Sequence, residues 1–409
     1  MSSFFLISGI LMLATNGATT KDYVLSFGPM MNLLALFAVV PILAVPIQIG
    51  NYVQSIEELI FRRIHNSKQL YFLTSGISYF FSSFMNLASL PMTYYTVRSS
   101  VTTYQVQHEV RFMSRAITHG FAMPLLWTPV TPIVGIVVDM TGVSWVAMLK
   151  YLIPLSVAGL LLDWFIASMI FRKRYRNLLK GENEVATGLL EKAGQAGSRK
   201  FFQILIAIAL FNGLVILADF QSSFDFLYIV SLLVIPFAFC WSAFLGKRKS
   251  FIKELKEHFS SHILKLSGQF VIFLSAGFFI SSMKFSHVDH FFNQGLLMVK
   301  EEVGSLLFLI LIPLVPLVLA FTGLHPAVGL ALMAEALDPS SLHISTSLLT
   351  LAMLGGAVGA FLMGPFNATI GMMASITDES PYRISNWNTG FTFSYLILLM
   401  ILLLFLQMI

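Results

Sequence analysis

The sequence predicts an all-α polytopic membrane protein with about 10–11 transmembrane segments, arranged as two inverted repeats that carry helix breaks and re-entrant hairpins. Three observations point there. Of 409 residues, 56% are hydrophobic and only 11% charged, against roughly 25% charged in ordinary soluble domains. About eleven apolar runs approach the ~20 residues that a spanning helix needs. Finally, TPVTPIVGIVV at 128–138 aligns without a gap on TGLHPAVGLAL at 322–332, each inside a long apolar run. Both follow T-x-x-(T or H)-P-x-V-G. A Pro/Gly-broken membrane segment repeated in corresponding halves of a chain points to a transporter's substrate site. Backbone freed by such a break survives in a bilayer only where it finds partners or lines a cavity.

In chain order the apolar runs are 3–18, 27–49, 70–97, 117–141, 146–171, 201–220, 224–246, 263–285, 304–337, 342–375 and 387–409. The first resembles a signal-peptide core but lacks the basic segment that should precede it, so it reads as a span. Lys and Arg in the connections set orientation. The most basic are 172–200 and 247–256. Placing both inside puts 98–116 inside as well, with the N-terminus outside and the C-terminus inside. The connection 51–69 strains this assignment, because Arg62, Arg63 and Lys68 fall outside. The resulting organisation is a first repeat at 1–171, a basic cytoplasmic linker at 172–200, a second repeat at 201–375 and an extra C-terminal transmembrane helix at 376–409. Two shorter matches keep the same order: IEEL at 56–59 with IKEL at 252–255, and FFSSFMN at 80–86 with FFISSMK at 278–284.

Candidate binding residues cluster at these breaks. Thr128, Pro129, Thr131 and Pro132 combine two helix-breaking prolines with hydroxyl donors. Proline lacks an N–H and clashes with the preceding turn. The half-helix that follows presents a positive N-terminus suited to an anion. Thr322, Gly323, His325 and Pro326 offer the counterpart. Ser82, Ser83 and Asn86, and Ser281 and Ser282 in the other half, suggest hairpin tips closing the site, with Pro91 marking the first tip. Small polar residues at a helix interface serve simple packing equally well.

Ionisable residues inside spans are functional hypotheses by default. Asp163, in AGLLLDWF, and His325 are the coupling candidates, and His119 is a weaker one. Asp139, Asp219, Lys284 and Glu335 lie near span ends, where snorkelling explains them. GPFNATIGMM at 364–373 again combines Gly, Pro, Asn367 and Thr369. Cys240 is the single cysteine, which excludes a disulfide framework and reads as a small core residue. No P-loop, H-E-x-x-H or G-x-S-x-G motif occurs, so ATP-driven transport and common hydrolase chemistry have no support and no enzyme is expected. The net charge of +5 comes from short basic loops and is no nucleic-acid signature.

Inverted halves with a hairpin-like segment before a Thr/Pro-broken helix resemble the ion transporter superfamily, which includes divalent-anion symporters, arsenite permeases, sodium/proton antiporters, and gluconate and C4-dicarboxylate permeases. The resemblance covers about residues 50–375 and implies a transport domain, about 70–141 and 263–337, sliding as an elevator against a scaffold. It also implies a homodimer. The symporters carry paired Ser-Asn-Thr triplets at the hairpin tips, whereas this chain has Ser83 and Asn86 in a looser arrangement and Lys284 where a second Asn belongs. The expected function is a multi-pass permease of the inner (cytoplasmic) membrane, embedded in the lipid bilayer. It would move a small solute, an organic anion foremost, with no metal or cofactor beyond a coupling Na+ or H+. A cation antiporter using Asp163 and a lipid flippase remain open at this point.

Overall fold

The computed structural model describes residues 2–52, 66–103, 106, 108–175, 196–337 and 339–408. The IEEL match at 56–59, Arg62 and Arg63, and residues 176–195 of the basic linker lie outside the described residues.

All regular structure among the described residues is helical. Among the described residues, seven helical stretches are long and apolar enough to cross a membrane: Thr20–Ile49, Trp145–Phe171, Phe202–Gln221, Phe226–Phe244, Ser267–Phe285, Thr346–Thr377 and Pro381–Met408. The apolar runs 70–97, 117–141 and 304–337 form no continuous span. They fold into hairpins and interrupted helices, because Pro and Gly fall inside them.

Helix α1 (Ser2–Thr15) is followed by α2 (Thr20–Ile49), a chain of helical pieces jointed at Pro29, Pro41 and Pro46. Helix α3 (Ser67–Met85) starts at Asn66, whose side chain accepts the Gln69 N–H, and stops at Asn86, where φ is +48°. The short turn Asn86–Ala88 reverses the chain into α4 (Ser89–Thr103). Next come α5 (Glu109–Ala122), α6 (Pro132–Thr141) and the long α7 (Trp145–Tyr175). Helices α8 (Ala196–Gln221), α9 (Phe226–Phe244) and α10 (Arg248–Glu257) lead to α11 (Ser267–Phe285) and α12 (Val288–Val303). The last group is α13 (Ser305–Leu311), α14 (Leu314–Phe321), α15 (Pro326–Ala336), α16 (Thr346–Met363), α17 (Ala368–Thr377) and α18 (Pro381–Met408).

Helices α3 and α5 run parallel and very close. Ser78 and Ser82 donate to the carbonyls of Ile117 and Phe121 at 2.7 and 2.8 Å. Gly120 sits on the Ser75 carbonyl with no room for a Cβ. Ser75, Ser78 and Ser82 recur at helical spacing, so small side chains form one face of α3 and let the backbones meet, a membrane packing mode. Because α5 starts level with the start of α3, α4 must return between them, and α3–α4 is a hairpin. A second hairpin is built from α13, α14 and α15. Helix α14 lies along α16, with Pro313 against Gly356 and Ala320 against Gly364, and α15 then folds back so that Gly329 meets Leu319.

The order hairpin, broken helix, long helix therefore occurs twice, at α3–α7 and again at α13–α18. The two broken helices run antiparallel. His119 of α5 lies beside Leu362 through Asn388, whereas Thr141, at the end of α6, lies beside Thr350, 3.2 Å between hydroxyls. In this order the break at 128–131 corresponds to the break at 364–367, and the hairpin turn at 86–88 to the turn at 322–325. The TPVTP/TGLHP sequence match thus aligns a broken helix with a hairpin tip. FFISSMK is also placed differently from FFSSFMN: it lies within the continuous α11, where Ser282 packs on Gly9 of α1.

Helix α16 is the central element, buried at every residue from Leu348 to Met363. Outward faces of α7, α8 and α18 carry Leu161, Phe165, Leu210, Leu217, Ile397 and Ile401, as surfaces against lipid require. Cys240 belongs to such an exposed face of α9 and not to the core. Asp139 does more than snorkel: its carboxylate accepts the Phe226 and Leu227 amides at 2.9 and 3.3 Å and caps α9. Lys284 and Glu335 pair at 3.5 Å, joining α11 to α15. At the α17–α18 turn, the Ser380 amide and the Arg383 side chain hold the Glu379 carboxyl below its usual range.

Gly120→Val should lower thermal stability in lipid nanodiscs by about 1–3 kcal/mol through overpacking. Gly213→Ala, with open space around it, should not destabilise. Equal melting midpoints for Gly120→Val and wild type would contradict the close α3–α5 contact.

Candidate functional site

Each interruption exposes backbone groups that water cannot reach. At the first break, Ser82 serves the Phe121 carbonyl, Ser156 the Met123 carbonyl at 2.8 Å, and the Trp145 indole the Trp127 carbonyl at 2.8 Å. Thr128 donates to Ser83 O at 2.6 Å, tying the break to the end of α3. At the second break, Asn367 donates to the carbonyls of Ala360 and Phe361, Asn388 to Leu362 and Ser385 to Met363. A helix leaves its last four carbonyls unpaired; here the last four of α16 all receive side-chain donors. Asn367 also accepts the Ile370 amide, capping α17 at 2.9 Å.

Beside both breaks lies a buried ionisable network. His119 Nδ1 faces Asp163 Oδ1 at 2.7 Å, and the Tyr71 hydroxyl donates to the same oxygen at 2.8 Å. His119 and Asp163 are 0% and 1% exposed, closed off from bulk solvent. On the other side of the ring, Nε2 faces Asn388 Oδ1 at 3.1 Å, and Phe391 stacks on the imidazole at 4.1 Å. Since Asn388 Nδ2 donates to Leu362, its Oδ1 is the acceptor. Both imidazole nitrogens therefore face acceptors, the arrangement that satisfies a doubly protonated ring beside a carboxylate. Asp163 Oδ2 and Arg115 Nε are buried and have no hydrogen-bond partner among the described residues. Asn388 thus connects the ion pair to the end of α16.

Helices α6 and α15 pack side by side. Taking α16 as reference, α6 ends at Thr350 and α15 opens at Phe361, where the His325 and Phe361 ring centroids are 6.5 Å apart. Both helices run in the same direction, so their proline-led N-termini, at Pro132 and Pro326, lie toward the same end. Thr131 precedes α6 without capping it, and its hydroxyl is buried with no partner among the described residues. His325 instead caps α15, accepting the Ala327 amide on Nδ1 at 3.2 Å, with Phe37, Phe273 and Phe361 around its ring.

Of the sequence candidates, Thr128, Pro129, Thr131, Pro132, Ser82 and Ser83 gather at the first break. Ser83 donates to Phe80 O, and Asn86 sits at the hairpin turn. Thr322 and Gly323 form the partly open turn before His325 and Pro326. Ser281 and Ser282 lie elsewhere, on α11. Asn367, marked in the sequence by GPFNATIGMM, and Tyr71, Ser385 and Asn388, which had not stood out there, carry much of the site. Asn388 is 225 residues from Asp163, so no local spacing links them.

Asn367→Ala removes the side-chain partners of the Phe361 carbonyl and the Ile370 amide, while Ala360 O keeps the Gly364 amide at 2.8 Å; it should destabilise more than Ser385→Ala, which strands one carbonyl at about 1–3 kcal/mol. Thermal unfolding in nanodiscs reads both. Wild-type midpoints for the two variants would contradict the assigned partners.

No family model matches the chain, and no curated protein matches it in sequence. Among solved structures it is similar to the YdaH transporter of Alcanivorax borkumensis, described as having an unusual topology. The TM-score is 0.64 at 15% identity, covering 98% of this chain and 97% of that one. It is also similar to MtrF of Neisseria gonorrhoeae, described as illuminating a class of antimetabolite efflux pumps. There the TM-score is 0.57 at 13% identity, covering 96% of this chain and 83% of that one. These neighbours do not single out the ion transporter superfamily. At such identities the likeness is one of fold, and over nearly its whole length the chain has the fold of solved membrane transporters.

Proposed function

We propose that the chain is a secondary active transporter of the cytoplasmic membrane, moving a small organic anion by elevator-type alternating access, with proton binding at the Asp163–His119 pair as the driving step. The carrying observation is that this pair is buried among spanning helices and joined through Asn388 to the end of α16. Intramembrane ionisable groups are costly and mark coupling paths. A change in protonation alters what His119 offers Asn388, and hence what Asn388 offers the second break.

Support for an anion comes from the shared direction of α6 and α15 and from the uncommitted Thr131 hydroxyl. A helix N-terminus carries a partial positive charge, and two on one side reinforce each other. Thr128, Thr131, Thr322 and the flanking residues would line the path, with the hairpins and broken helices as the moving body. A second reading, cation/proton antiport, draws on Asp163 Oδ2, which accepts no hydrogen bond among the described residues.

Proteoliposomes with an imposed pH gradient and a panel of labelled aromatic and dicarboxylic acids test the proposal. Gradient-driven flux should fall at least ~10-fold in Asp163→Asn and His119→Gln, a loss of about 1.4 kcal/mol or more in the driven step. Thr131→Ala should weaken half-saturation while keeping the pH response. Wild-type flux in Asp163→Asn would overturn the coupling site. Sodium-driven proton movement that ignores every anion would favour the antiport reading.

A further inference from the structure

Where α11 turns into α12, His287, Asp289 and His290 bring their ligand atoms within 4.8 Å of one another. His287 has a left-handed backbone, φ +56°, just before the helix, and this places its ring 5.8 Å from that of His290, centroid to centroid. Asp289 Oδ1 is shielded from solvent and accepts no hydrogen bond from any described residue. The helix N-terminus here disfavours a cation, so the carboxylate in the first turn supplies the compensating charge. We propose that His287, Asp289 and His290 form a divalent transition-metal site, of the zinc class, on the surface of the protein.

The donor set determines the metal class. Two imidazoles and a carboxylate suit zinc and its neighbours, whereas magnesium and calcium take oxygen ligands. With metal–ligand bonds near 2.0–2.1 Å, donors around a tetrahedral ion stand about 3.4 Å apart. The trio's ligand atoms, within 4.8 Å of one another, would draw together to that spacing around an ion. Three protein ligands leave a fourth position for water. The site also has a mechanical setting. Lys284, three residues earlier, pairs with Glu335 of α15, and Asn293 donates to Ala336 O at 3.3 Å. An ion here would fasten the start of α12 to the turn after α11, at the point where both hold the returning arm of the second hairpin. The sequence offers no cysteine pair or H-E-x-x-H at this place, which is why motif reading passes over it.

The test uses tag-free full-length protein in nanodiscs, titrated with zinc against a chromogenic chelator, and with cobalt to read ligand geometry by its visible absorption. Wild type should take up one zinc that magnesium does not displace, with tetrahedral cobalt bands. His287→Ala and His290→Ala should each lose at least ~10-fold in affinity, the lower range found even for outer-shell changes. Asp289→Asn should weaken binding as well, and the His258→Ala/His262→Ala pair should not, since those two histidines lie at the end of α10. Unchanged uptake in the His287→Ala/His290→Ala double variant, or no stoichiometric uptake by wild type, would overturn the proposal. Melting curves without metal establish that each variant is folded.

Discussion

The constraint on which the rest of this structure depends is that every backbone group released by a helix break must be partnered inside a medium without water. Each unsatisfied group there costs several kcal/mol. This chain interrupts its helices repeatedly, and it keeps the interruptions closed with side chains from neighbouring elements. Ser82, Ser156 and Trp145 serve the first broken helix, while Asn367, Asn388 and Ser385 serve the second. The long helices α7 and α18 are therefore more than lipid-facing walls. Each reaches inward with polar side chains that hold a break at its present geometry.

That arrangement also explains how a broken helix and an ionisable pair become one system. Asn388 divides its amide: Nδ2 donates to Leu362, while Oδ1 accepts from the Thr118 hydroxyl and faces His119 Nε2. Asp163 sits on α7, His119 on α5 and Asn388 on α18, so the network spans both long helices and the first broken helix. A proton gained or lost there changes the hydrogen-bond demand on a side chain that the second break needs. Hydroxyl and amide partners can exchange at low cost, so such a junction can hold two arrangements of the same helices. The proposed elevator motion would need that property, and a fold held together by apolar packing alone lacks it.

The membrane class and the broken helices were legible in the sequence, because apolar runs interrupted by Pro and Gly have one physical reading in a bilayer. TPVTP does break its helix, and NLASLPM does turn a hairpin. The pairing of TPVTP with TGLHP was less informative. Pro at the first helical position suits a half-helix and a hairpin return alike, so the motif reports a helix start and not its place in the repeat. The serines of FFSSFMN and FFISSMK look equivalent, yet Ser82 serves a neighbouring helix while Ser282 bonds back to Phe278 within its own. Asp163 stood out as a carboxylate inside an apolar run. His119 was only a weaker candidate, and Tyr71 and Asn388 did not stand out, because their meaning comes from contacts across 44 to 269 residues that no local pattern encodes.

The most direct test of the central claim is the protonation state of His119. Solid-state nitrogen NMR of histidine-labelled protein in lipid bilayers, compared with His119→Gln, assigns that ring's two resonances. The ion-paired arrangement has both ring nitrogens donating, to Asp163 and to Asn388, so each should carry a proton, and Asp163→Asn should abolish that state. A His119 resonance pair showing one bare nitrogen, unchanged by Asp163→Asn, would contradict the account of the buried pair and of its link to the second break.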